Sequence, residues 1–66
     1  MRNTVKVERA ILNITQQQLA DAVGVSRNTI NSIESGKYIP STVLALKISR
    51  HFRKPVETVF QLDETD

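Results

Sequence analysis

Residues 15–36 read T-Q-Q-Q-L-A-D-A-V-G-V-S-R-N-T-I-N-S-I-E-S-G. Thr15 stands where a helix needs an N-cap: its hydroxyl accepts the backbone N–H three residues on while Gln18 reaches back to the Thr15 N–H, the pattern of a capping box. The helix opened there turns Leu19, Ala20 and Val23 to one side. It stops at Gly24, the residue type that most readily takes the left-handed conformation beyond a last turn. Only Val25 separates that glycine from Ser26, a second good N-cap, so the following helix must leave at a sharp corner. Ile30 and Ile33 form its apolar stripe and Gly36 ends it, while small Ala20 lets the two helices approach closely.

The second of these helices has an unusual free side. With Ile30 taken as the inward direction, Asn28 lies at about 160°, Ser32 at about 200°, Ser35 at about 140° and Asn31 at about 100° around the axis, and Arg27 stands at the exposed N-terminal edge. A solvated helix face is ordinarily rich in Glu and Lys four residues apart; this one is short-chained, polar and neutral apart from Arg27. Such side chains form directional hydrogen bonds with base edges, Arg with guanine O6 and N7, Asn with adenine N6 and N7, Ser and Thr with either. A helix laid in the major groove offers its N-terminal residues to the bases. The segment therefore reads as a base-reading helix fastened from beneath by Val25, Ile30 and Ile33.

Working outward, the fold is expected to be all-α, with five short helices punctuated by the two glycines and two prolines. A first helix is expected from Asn3 or Thr4 to Leu12, with Val5, Val7 and Ile11 or Leu12 on its buried side. Pro40-Ser41 announces a fourth helix in which Leu44, Ala45, Ile48 and Phe52 recur at three- and four-residue spacing. Pro55 starts a short fifth with Val56, Val59 and Phe60. Valine, isoleucine and threonine are numerous, but the runs are short and capped, which leaves room for no more than a brief strand pairing between the two ends of the chain.

With 66 residues, the chain carries one core and one domain. It holds no cysteine, so neither a disulfide framework nor a thiolate metal site is expected, and stability must come from helix packing or dimerisation. No apolar run approaches the roughly 18 residues of a membrane span, and a cytoplasmic location is expected. Residues 1–56 carry all nine Lys and Arg against Glu8, Asp21 and Glu34, a balance of +6, whereas residues 57–66 carry Glu57, Asp63, Glu64 and Asp66 with no base, a balance of −4. A cationic body with an acidic tail suits a polyanion approached from one side.

Taken together, T-Q-Q-Q-L-A at 15–20, V-G-V-S-R-N-T-I-N-S-I-E-S-G-K at 23–37, Y-I-P-S at 38–41 and L-A-L-K-I at 44–48 resemble the phage-repressor-like, or xenobiotic-response-element, family of helix-turn-helix regulators. The resemblance runs from Val5 to about Leu62 and is strongest to short stand-alone members. It implies a helix-turn-helix at about 15–36, with Arg27, Asn28, Asn31 and Ser32 reading bases. Gln16, Gln17, Thr29, Lys37, Tyr38 and Ser41 match phosphate positions, contacts that set register and affinity without reading sequence. Arg9 and Glu34 match an ion pair that orients the reading helix. Glu8 departs from the family, where an apolar residue is common, and Val7 is expected to take its place in the core. Ser35 replaces the Asn or Lys often found there.

One such module reads four or five base pairs, which gives poor discrimination against a genome, so a homodimer on a pseudo-palindromic operator is expected. The expected interface lies at about 52–62 and adds Leu46 to Val56, Val59, Phe60 and Leu62. The functional expectation is a transcriptional regulator, a repressor in the first instance; an antitoxin that also binds a toxin, and an interaction module that has lost DNA binding, are the alternatives. An enzyme is not expected. His51 stands alone near a helix end, Ser26 and Ser41 read as caps with no base beside them, and no phosphate-binding glycine loop is present. Neither cofactor, metal nor small-molecule ligand is expected.

Overall fold

The computed structural model describes residues 1–66. In chain order the elements are β1 (Arg2–Asn3), α1 (Val5–Leu12), α2 (Gln16–Val23), α3 (Arg27–Glu34), α4 (Thr42–Phe52), α5 (Val56–Val59) and β2 (Phe60–Gln61). The five helices fall where the caps and punctuation place them. The two strands pair antiparallel, with Arg2 opposite Gln61 and Asn3 opposite Phe60. The Thr4 N–H extends this tie by donating to the Val59 carbonyl at 2.9 Å.

Local chemistry accounts for most boundaries. Thr15 forms the full capping box with Gln18, and the hydroxyls of Ser26 and Ser41 accept the N–H groups of Thr29 and Leu44 at 3.2 Å each. Gly24, at φ 79°, ends α2 with its N–H on the Ala20 carbonyl. Asn13 and Arg53 adopt the same left-handed conformation at the ends of α1 and α4, both at φ 56°. Asparagine tolerates it well. At Arg53 the compensation is the hydrogen bonding of the last turn, where the N–H groups of Arg53 and Lys54 reach the carbonyls of Arg50 and Ser49.

Eleven apolar side chains make one core: Val5, Leu19, Ala20, Val23, Ile30, Ile33, Leu44, Ile48, Phe52, Val59 and Phe60. The inward sets read from α2, α3 and α4 are all in it, save that Ala45 is only partly covered. α1 differs. Val5 is buried as expected, but Val7, Ile11 and Leu12 are 57%, 66% and 47% exposed, and the second buried residue of the helix is Glu8. Val7 therefore does not replace Glu8 in the core. The reason is geometric: Val7 and Ile11 lie about 200° and 240° around the helix from Val5, whereas Glu8 lies within about 60° of it. Lys54 Nζ sits 2.9 Å from both Glu8 carboxylate oxygens, which gives the buried charge a counter-ion and makes its inward position tolerable.

The expected dimer residues also divide. Val59 and Phe60 are 0% and 7% exposed inside the core, because β2 folds back over it to meet β1. Leu46 and Leu62 remain exposed, and Val56 is half-buried. Of the five, only these three offer surface to a partner.

Candidate nucleic-acid interface

The corner at Gly24 presents α3 across the N-terminal end of α2. Ile30 and Ile33 are fully buried, so the opposite side of α3 must face outward. Arg27, Asn28 and Asn31 are exposed and Ser32 is half-buried, which puts all four expected base-reading residues on the accessible side of one rigid helix.

What fixes that helix is a network joining α1, α2 and α3. The Arg9 guanidinium donates from Nε to Glu34 Oε2 at 2.7 Å, from Nη2 to Glu34 Oε1 at 3.1 Å and from Nη1 to the Ile14 carbonyl at 2.9 Å. The fork geometry gives direction as well as energy. Gln16 Nε2 donates both to Glu34 Oε1 at 3.1 Å and to Asn31 Oδ1 at 3.2 Å. Burial pushes the Glu34 carboxyl up, but the hydrogen bonds from Arg9 and Gln16 and the charges of Arg9 and Lys6 prevail and hold it below its ordinary value. The hydrogen bond that Arg9 donates to Glu34 raises the guanidinium in turn. The pair is charged throughout the neutral range, with side chains only 16% and 6% exposed.

Two residues expected separately are thus brought together. Gln16, placed among the phosphate contacts, and Asn31, placed among the base readers, are hydrogen-bonded to each other, and both amide hydrogens of Gln16 are engaged inside the protein. Gln17 likewise donates to Asp21 at 2.8 Å along the outer face of α2. Thr29 Oγ1 lies 3.0 Å from Ser26 Oγ. Lys37 and Tyr38 follow α3 in a loop pinned by their own N–H groups to the Ser32 carbonyl at 3.0 and 3.2 Å; both side chains are exposed. Ser41 caps α4 with its hydroxyl. Ser35, the second departure from the family pattern, turns its hydroxyl to the Ser32 carbonyl at 3.1 Å.

Asn3 carries no sequence signal for the role it plays. Its Nδ2 donates to the Ile33 carbonyl at 2.9 Å and its Oδ1 accepts the Val5 N–H at 3.1 Å. It therefore ties the entry of α1 to the last turn of α3, and nothing in its sequence neighbourhood points to a partner thirty residues away. His51 is exposed in the last turn of α4. No three His, Cys, Asp or Glu side chains come together to hold a metal ion, and no helix is long and apolar enough to cross a membrane.

Two short helices joined by a sharp glycine corner, the second with a polar outward face, define a helix-turn-helix domain. The family description helix-turn-helix matches residues 5–59, and the chain belongs to that family, in its xenobiotic-response-element type. It is 47% identical over 64 residues to an uncharacterized HTH-type transcriptional regulator, YgzD, of Bacillus subtilis, covering 97% of each chain. It is 46% identical over 66 residues to an uncharacterized HTH-type transcriptional regulator of Methanocaldococcus jannaschii, covering the whole of both. A third such regulator, from Archaeoglobus fulgidus, is 48% identical over 66 residues, all of this chain and 93% of the relative. The protein is a DNA-binding regulator of the helix-turn-helix class.

Proposed function

We propose that the protein represses transcription by binding a pseudo-palindromic operator as a symmetric homodimer, with α3 of each copy in the major groove. The observation that carries this reading is the outward face of α3, where Arg27, Asn28, Asn31 and Ser32 stand clear of a helix anchored by two fully buried isoleucines. Arg27 and Asn28 sit in its first turn, where a docked helix meets base edges. Asn31 reaches the bases from the edge held by Gln16. Backbone N–H groups at the starts of α2 and α4 meet phosphate oxygens there, helped by the positive ends of the helices. Gln16, Gln17, Thr29, Lys37, Tyr38 and Ser41 border that surface, and Gln16 takes a phosphate by exchanging its hydrogen bond to Asn31 for one to the phosphate oxygen. The 66 residues act as one domain in the cytoplasm, with about 15–36 reading DNA and about 52–62 pairing the copies. Leu46, Val56 and Leu62 support the pairing because the core leaves them uncovered.

Selection of bound duplexes from a random DNA pool tests the proposal. The expected product is a two-fold symmetric site whose half-site centres lie about 34–36 Å apart, one turn or a multiple of it, with a dimer mass in sedimentation at micromolar concentration. An unsymmetric site bound by a monomer overturns the dimer, and a promoter carrying the site that is activated on binding overturns repression.

A further inference from the structure

The chain has nine Lys and Arg residues, and their surroundings divide them. Arg2, Arg9 and Lys54 pair with Asp63, Glu34 and Glu8, and Lys6 adds its charge near Glu34. Arg27 and Lys37 belong to the reading surface. The other three, Lys47, Arg50 and Arg53, lie along the second half of α4 and at its C-cap; all three are exposed and none meets a carboxylate. Lys47, Arg50 and the exposed His51 form one wall of a cleft of about 380 Å³ whose other wall is the C-terminal end of α2. The one carboxylate that lines it, Asp21, is engaged by Gln17 at 2.8 Å. The groove that holds Gln16, Gln17 and Arg27 shares no residue with this cleft. Helix stability does not call for the three charges. Arg50 suits the negative end of α4, but Lys47 stands in mid-helix and Arg53 beyond the last turn, and like charges three residues apart work against a helix. Arg53 also holds its backbone at φ 56°, which asparagine takes at less cost.

We infer that Lys47, Arg50 and Arg53 form a second, sequence-independent contact for the phosphate backbone of duplex DNA, outside the half-site that α3 reads. The inference takes from the proposed function only that α3 seats on DNA; it needs neither repression nor operator symmetry. α4 starts at Ser41, on the border of the reading surface, and a rise of about 1.5 Å per residue carries Lys47 about 9 Å and Arg53 about 18 Å beyond it. The three cations follow one another at about 4.5 Å along the axis and about 60° around it. A continuous polyanion, with a charge every ~1.7 Å of duplex, meets such a row in any register, whereas a single anionic group would engage only part of it. The two arginines add donor forks that match phosphate oxygens. A duplex reaches the row in one of two ways: the flank of the bound site bends along α4, or a second duplex is held there.

The test compares a pool-selected duplex trimmed to its site with the same site extended at each end by about 20 base pairs of scrambled sequence, two helical turns. Affinities are measured by fluorescence anisotropy over a range of salt. Where the flank bends onto α4, extension is expected to steepen the slope of log affinity against log salt by about 2–3 per copy of the protein, about 0.9 for each of three phosphates. Where a second duplex is held, the two slopes agree and protein on an immobilised trimmed site captures a labelled scrambled duplex. In the triple variant Lys47→Gln, Arg50→Gln, Arg53→Asn the added slope or the capture is expected to vanish, while affinity for the trimmed site and the melting temperature are kept. Equal slopes without capture, or a gain that survives the triple substitution, overturn the inference. So does an equal loss on the trimmed site, which would put the three cations in the primary contact. Failure to select any duplex overturns the reading role of α3 alone; the inference is then decided on scrambled duplexes, where the triple variant must lose about 2–3 units of salt slope per copy.

Discussion

Replacing Arg9 with methionine isolates the tie between α1 and α3. Methionine keeps an unbranched stem but removes three donor contacts, two on Glu34 at 2.7 and 3.1 Å and one on the Ile14 carbonyl at 2.9 Å. Glu34, with a side chain 6% exposed, then holds its charge with Gln16 as the remaining donor. Stripping one partner from a buried pair costs about 3–5 kcal/mol; because Arg9 keeps one edge in water, the lower figure of about 3 kcal/mol is expected. For a domain of this size each kcal/mol moves Tm by about 4–8 °C, so Arg9→Met should melt about 12–24 °C below the parent at pH 7. Arg9→Met with Glu34→Leu should recover most of the loss, since an apolar pair leaves no stranded charge.

Acid provides an independent check on the same pair. Glu34 titrates below its ordinary value of 4.5 in the folded protein, so its contribution to stability is fully present above that value and lost as pH falls through the lower folded one. The gap between the parent and Arg9→Met must therefore narrow below about pH 4.5. Thermal and urea melts followed by circular dichroism measure both effects. A variant melting within about 3 °C of the parent at pH 7, or a gap that stays constant on acidification, would show that the pair does not tie α1 to α3 in this way.

Lys54→Ala should destabilise by about 1–3 kcal/mol at neutral pH by leaving Glu8 buried without its counter-ion, whereas Glu8→Leu should melt at or above the parent temperature. Gly24→Ala should cost about 1–2 kcal/mol, read from the urea midpoint at unchanged m-value: an added Cβ meets nothing within 4 Å, so the left-handed backbone alone sets the loss, and Gly24→Asn should lose less. Lys37→Ala should weaken all duplexes by a similar factor and reduce the slope of log affinity against log salt by about one, as loss of a single phosphate contact does.

The elements governed by neighbours in the chain are legible in the amino-acid sequence. Thr15, Ser26 and Ser41 cap within three residues of themselves, Gly24 needs only its own backbone, and Leu44, Ile48 and Phe52 repeat often enough to reveal their inward side. α1 is not legible in the same way. Eight residues give too few turns for a period to emerge, and its apolar count points the wrong way: Val7 and Ile11 face water while Glu8 faces inward. What decides that orientation is Lys54, forty-six residues later, together with the Arg9 and Asn3 tethers to α3. The same distance hides the couplings of the recognition surface. Arg27, Asn28 and Ser32 can be placed on the free side of α3 from helical geometry, but the joining of Gln16 to Asn31, the burial of Val59 and Phe60 where β2 pairs with β1 and the position of Tyr38 beside Ser32 all arise from contacts that no local pattern encodes.

Whether the outer face of α3 reads base sequence comes down to a ratio: affinity for a pool-selected duplex over affinity for a scrambled duplex of the same composition, by fluorescence anisotropy at one salt concentration. A ratio of about a thousand or more is expected for the protein. With Arg27→Ala and Asn28→Ala together, the ratio should fall by about 30-fold or more, from about 1–3 kcal/mol at each position, while affinity for the scrambled duplex falls far less. A doubly substituted protein that keeps the parent ratio would mean that sequence is read by some other surface.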